Sequence, residues 1–182
     1  TVSRSGYLKP IQDYEVLYDY AKENSEGFWR VEKFERRTKN DATLAGYPSA
    51  SLFSSTMNSS VANFYETLGM RYSKVFYAFD GATALTSAML NVEYMFGETE
   101  KSMQNEASEN YDKLYTAVAE SGDITLYHCN YTLPFGYVVP LDFQLSDSKG
   151  QDPLKVQNAM IKGLGIKDNL FTRANTIRDD ED

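Results

Sequence analysis

The residues able to do chemistry fall in three places. His128 and Cys129 are adjacent, and a thiol beside an imidazole is how a cysteine nucleophile meets its base. In an extended run such as ITLYHCN, however, neighbouring side chains point to opposite faces, so the two cannot readily meet. A core or rim histidine is the better reading. His128 is the single histidine, and without an HExxH, a second cysteine or a His-x-His it cannot nucleate a metal cluster. The serine-rich run SASLFSS lacks a GxSxG elbow and any acid–base partner nearby in sequence. Phosphate-cradling glycine loops are missing too.

The third place is a polar constellation: Arg30, Arg36, Arg37, Asn40, Asp41, Tyr47, Ser54 and Ser55. Guanidinium forks bind phosphate or carboxylate bidentately, while Asn, Asp and Tyr offer directed donors and acceptors to sugar hydroxyls. Arg36, Arg37, Asn40, Asp41, Tyr47, Ser54 and Ser55 are therefore the candidate substrate-binding residues. The competing reading is structural. Asn40 and Asp41 would fix the loop by bonding its own backbone, and Arg36 or Arg37 would pair with an acidic neighbour. For any single residue the structural reading carries more weight. No catalytic residue, metal ligand or cofactor is assigned.

These residues need elements to hold them. FWRVEKF, Phe28 to Phe34, reads as a strand with Phe28, Arg30, Glu32 and Phe34 on one face and Trp29, Val31 and Lys33 on the other. Neither face is uniformly apolar, as in a strand near the rim of a sheet whose charged groups point at something. The polar segment after it is long, and long loops in compact domains are usually functional or disordered. Leu44, Tyr47, Leu52 and Phe53 predict that this one packs down.

Around this stretch, Thr1 to Pro10 reads as a lead-in with Pro10 in the first turn of a helix. Ile11, Tyr14, Leu17, Tyr18 and Ala21 then recur at helical spacing up to Asn24. Asn58 or Ser59 caps a helix through Leu68, Lys74–Phe79 reads as a short strand, and Asp80-Gly81 turns the chain. Ala82–Leu90 predicts a buried helix and Val92–Phe96 a core strand. Residues 97–110 are polar and read as a surface excursion.

Tyr111–Glu120 fits helix or strand, and strand is preferred. Ser121-Gly122-Asp123 makes a hairpin turn into Ile124–Asn130, where Ile124, Leu126 and His128 share one face and Thr125, Tyr127 and Cys129 the other. Leu133-Pro134 interrupts, and Tyr137 to Leu141 resumes an extended course. Asp142 to Gln151 is a polar loop. Asp152-Pro153 starts a helix through Leu164, presenting Leu154, Gln157, Ala159, Met160, Ile161 and Leu164. The tail, 172–182, reads as frayed. The sum is one α+β domain over 1–182, with a mixed, largely antiparallel sheet of about five strands and packed helices.

Composition narrows the partners. The 182 residues can bury roughly 70% of their unfolded surface. A net charge of −8 argues against nucleic acid and against lying flat on an anionic membrane surface. Fourteen tyrosines in an acidic chain suit neutral polar ligands such as sugars, although tyrosines filling a core with their hydroxyls toward solvent is the weightier explanation. One cysteine excludes an internal disulfide. No stretch approaches the ~20 apolar residues that span a bilayer, and none of these residues reads as a signal peptide. The sequons at Asn58 and Asn130 are of a kind that arises by chance.

FWRVEK, the following basic pair, ND, GY and LFSS resemble the extracytoplasmic domain of bacterial YfhO-type membrane proteins. MLNVEYMF at 89–96 and ITLYHCNYTLPFGYVV at 124–139 resemble two later stretches of that family, in the same order. The resemblance implies an excised domain, with membrane helices of the parent chain before Thr1 and after Asp182, on the extracytoplasmic side of the cell membrane. It implies a multi-spanning glycosyltransferase that uses a polyprenyl-phosphate-linked sugar and decorates lipoteichoic acid. Its catalytic acid would lie outside this fragment, so the isolated chain should be inactive and would help position a glycan or teichoic-acid acceptor. Phe135, where an aliphatic residue is expected, and His128-Cys129, in place of an acidic residue and its neighbour, depart from the family pattern. A purely structural or partner-binding ectodomain and a stand-alone sugar-binding module are the alternatives.

Overall fold

The computed structural model describes residues 4–98, 111–136, 138–143 and 150–173. The expectations for residues 99–110 and for the end of the tail lie outside them.

Helix α1, Arg4–Asn24, lies against a four-stranded sheet. The strands are β1 (Arg30–Lys33), β4 (Val92–Glu98), β6 (Ile124–Cys129) and β5 (Tyr115–Ser121), side by side in that order. β1 runs parallel to β4, and the other two pairings are antiparallel. Two more strands, β2 (Leu52–Phe53) and β3 (Phe76–Tyr77), pair only with each other as a small ribbon. The α+β class and the mixed, mostly antiparallel sheet thus hold, but the strands divide into four and two. Runs of two residues offer too few ladder bonds to extend the main sheet.

Alternation along the strands sorts side chains onto two faces. Trp29, Val31, Tyr94, Phe96, Ile124 and Leu126 pack under Leu17 and Ala21 of α1. Val92, Met95, Tyr127 and Cys129 pack on the other face with Ala50, Phe79 and the partly buried Phe34. Both two-faced readings, of Phe28–Phe34 and of Ile124–Cys129, are therefore met. β1 is an edge strand, as its mixed faces indicated. A third cluster joins Tyr65, Leu68 and Met70 to Val156 and Met160. These come from α3 (Ser59–Thr67), its C-terminal side, and α6 (Pro153–Gly163).

The caps agree with the sequence. Asn58 accepts from the Ser60 N–H, and Asp152 from the Leu154 N–H with Pro153 in the first turn. Helix α4, Ala84–Met89, carries a Thr83–Thr86 capping box. Tyr111–Leu114 forms a short turn, α5, before β5 begins. Strand was thus the right choice from Tyr115 onward, and Gly122 makes the hairpin turn at φ 58°.

Four expectations are corrected. α1 begins at Arg4, so Pro10 sits inside it and not in its first turn. The apolar spacing located the packed face, which starts near Ile11, and not the helix end. Residues 41–45 of the expected loop are a short helix, α2, closed by left-handed Gly46 at φ 74°. Tyr137–Leu141 joins no sheet among its described residues. On α6 the buried residues are Val156, Gln157, Met160 and Ile161, while Leu154 is 43% exposed. Gln157 is held there because it donates to Leu68 O at 2.9 Å and accepts from Thr83 Oγ1 at 2.6 Å.

Candidate functional site

The two adjacent arginines after β1 have opposite surroundings. Arg36 is drawn inward, its side chain 8% exposed, pairing with Glu32 at 3.2 Å and with Asp80 at 2.5 Å. Glu32 is itself 1% exposed. Its other oxygen accepts from the Ala50 N–H at 2.6 Å, the Ser51 hydroxyl at 3.1 Å and the Ser49 hydroxyl. Ser51 in turn accepts from the Phe79 N–H at 2.9 Å, and Tyr65 donates to the Ala50 carbonyl. Burial pushes the Tyr65 phenol up, with the Glu32 charge adding to the effect. This is a satisfied buried network, the kind that fixes one arrangement of loops over a sheet.

Asn40 and Asp41 also act on their own backbone. Asn40 accepts from the Phe53 N–H at 2.9 Å and donates to the Phe53 carbonyl at 3.3 Å, joining the edge of β2. Asp41 accepts from the Arg37 and Thr38 N–H groups, at 2.9 and 2.8 Å, and from the Thr38 hydroxyl at 2.7 Å. Lys33 pairs with it at 3.1 Å while lying 4.0 Å over the Tyr14 ring. Burial acts to raise the Asp41 carboxyl, but the Thr38 and Arg37 hydrogen bonds and the Lys33 charge outweigh it and hold it below its ordinary value. Tyr47 is 6% exposed, edge-on to Phe96 at 5.2 Å. Ser54 meets Thr56 at 3.2 Å, and Ser55 is exposed.

Arg37 remains outward. It is exposed, and among the described residues its guanidinium makes no ion pair. It lines two adjoining clefts that share Pro10 and Tyr14. The larger, about 190 Å³, is completed by Asp13, Glu98, Asp123 and Ile124. The smaller, about 80 Å³, is bordered by Lys33, Thr38, Asp41 and Leu44. Asp13 accepts from the Ser121 hydroxyl at 2.9 Å, tying α1 to the β5–β6 turn. A side chain at Gly122 would meet the Asp13 carboxylate at 2.7 Å.

Of the sequence candidates, then, only Arg37 and Asp41 border these clefts. Tyr47, Ser54 and Ser55 do not. Asp13, Tyr14, Glu98 and Asp123 were missed, because α1, β4 and the β5–β6 turn bring them together from far apart in the chain, and Lys33 of β1 was read only as one face of its strand.

The arrangement suits binding and not bond making. A guanidinium matches phosphate or carboxylate, and carboxylates accept from hydroxyls. Among the described residues no three His, Cys, Asp or Glu side chains could hold a metal ion. Cys129 is buried, and burial pushes its thiol up to about 12, with Glu93 adding to the effect. His128 lies on the opposite face of β6, 4.0 Å from Glu93. A thiolate at neutral pH is therefore out of reach.

No helix among the described residues is long and apolar enough to cross a membrane. No curated protein and no solved structure matches the chain. The family model described as bacterial membrane protein YfhO matches residues 1–180. With that match over nearly its whole length, the chain belongs to the YfhO family of bacterial membrane proteins.

Proposed function

We propose that this chain is the extracytoplasmic domain of a multi-spanning, glycosyltransferase-like membrane protein, and that it helps position a glycan or lipoteichoic-acid acceptor. Catalysis belongs to other parts of the parent protein. The observation that carries the reading is the cleft beside α1. One outward guanidinium, Arg37, stands beside Tyr14 among Asp13, Glu98 and Asp123, so the cleft offers one donor fork to a phosphate and three carboxylates to the hydroxyls beside it. Membership in a membrane-protein family supports the setting.

A purely structural role is the second reading. It is favoured by the fact that Arg36, Asn40 and Asp41 spend their hydrogen bonds within the fold.

Titration of the whole chain with polyglycerol-phosphate fragments, followed by amide chemical shifts, separates the two. The binding reading predicts shifts at Arg37, Asp13 and Asp123 that Arg37→Ala abolishes. A silent spectrum, with Arg37→Ala harmless to the parent enzyme, would establish the structural role. Trp29 fluorescence is a poor reporter here, because Trp29 lies at the opposite end of β1 from the cleft and lines a different groove, with Tyr18, Ser25 and Pro48.

A further inference from the structure

Residues 131–141, YTLPFGYVVPL, contain no charged side chain, in a chain where 24% of residues are charged. Among the described residues of this stretch, four large side chains are turned mostly outward. Tyr131 is 63% exposed, Phe135 69%, Val138 98% and Leu141 106%. Single exposed hydrophobes are ordinary, but a succession of them along one short uncharged stretch points to a contact. The backbone under them is tied down. Asn130 N–H donates to Leu114 O at 2.8 Å, Leu133 N–H to Ala88 O at 3.1 Å, and Phe143 N–H to Pro140 O at 2.9 Å. Phe143 then packs into the third core. Phe135 is braced by Phe28, their ring centroids 4.8 Å apart, and Arg30 covers Phe28 at 4.7 Å.

We propose that this strap seats the domain on a lipid bilayer, with Tyr131, Phe135, Val138 and Leu141 entering the headgroup layer. Three observations select that occupant. The family is one of membrane proteins, so a bilayer lies beside its members. Aromatic and aliphatic side chains without charges are the composition that sits at the headgroup level. A stable protein interface takes about 20–30 residues a side, more than one short strap offers, whereas a few inserted side chains suffice for a surface contact. With a net charge of −8 and no Lys or Arg in the strap, the attraction is apolar and not electrostatic. The proposal rests on the family membership and is independent of the glycan reading.

The test is sedimentation of the whole chain with phosphatidylcholine vesicles and with vesicles containing phosphatidylglycerol. Binding to neutral vesicles should withstand added salt and should be weaker on the anionic ones. Val138→Asp with Leu141→Asp should lower partitioning by roughly tenfold or more while leaving the thermal melt unchanged, and Arg37→Ala should bind as the parent does. The proposal is overturned if neutral vesicles fail to take up the chain, or if the double variant partitions equally. It is also overturned if the strap instead drives a concentration-dependent dimer that the double variant abolishes.

Discussion

The two ends of the four-stranded sheet are chemically opposite. At one end, where β4 finishes and β6 begins, stand Arg37, Asp13, Glu98 and Asp123 around a cleft. At the other, where β1 and β4 begin and β6 finishes, stand Phe28 and Phe135, the latter in the strap that β6 runs into. β4 is seven residues long, so the ends lie ~20 Å apart at about 3.3 Å per residue. Between them the sheet is sealed on one face by α1 and on the other by the loops that Glu32 gathers. The difference teaches that this fold has two differently dressed ends: one that carries the uncharged strap, suited to a bilayer, and a charged one suited to a polar ligand in water.

The largest expected effect concerns what keeps the ends in register. Replacing Glu32 by Ala leaves Arg36 buried beside one fewer carboxylate and strips the Ala50 N–H of its acceptor. It should cost about 3–5 kcal/mol, measured by urea unfolding, and loosen the cleft end first in hydrogen exchange. Arg36→Ala should fall in the same range. Arg37→Ala, one residue on, should stay within about 0.5 kcal/mol of the parent protein. Equal costs at 36 and 37 would break the distinction between the inward and outward arginines.

Asp41 comes next. Its carboxyl is held below its ordinary value in the folded chain, so its contribution is present above the ordinary carboxylate range and is lost as pH falls through the lowered value. Asp41→Asn should cost about 1–3 kcal/mol near neutrality and should flatten the acid limb of stability against pH. A variant whose acid limb equals the parent's would show that Asp41 is not the clamp of this loop. The smallest effect is kinetic. With its thiol buried and pushed up to about 12, Cys129 should react with a thiol reagent only as fast as the fold opens.

Much of this was legible in the sequence. The alternation in FWRVEKF gave both faces of β1, because period two is dictated by the strand itself, and Asp152-Pro153 marked the start of α6. The division of labour between Arg36 and Arg37 was not legible. Their types are identical, and the carboxylates that claim Arg36 come from β1 and from the Asp80 turn. Glu32 likewise reads as a rim charge until Ser49, Ala50 and Ser51 fold over it. The cleft needs α1, β4 and the β5–β6 turn to meet, a tertiary fact with no local signature. The strap was hidden for another reason: an apolar run interrupted by Pro134, Gly136 and Pro140 resembles core extended structure until its exposure is known.

Depth measured with lipid-borne quenchers, using a single probe placed at residue 138 or at residue 123 of the vesicle-bound chain, tests the two-ended account most directly. The account predicts strong, headgroup-level quenching at 138 and none at 123. Quenching at 123 equal to or greater than that at 138 would contradict it.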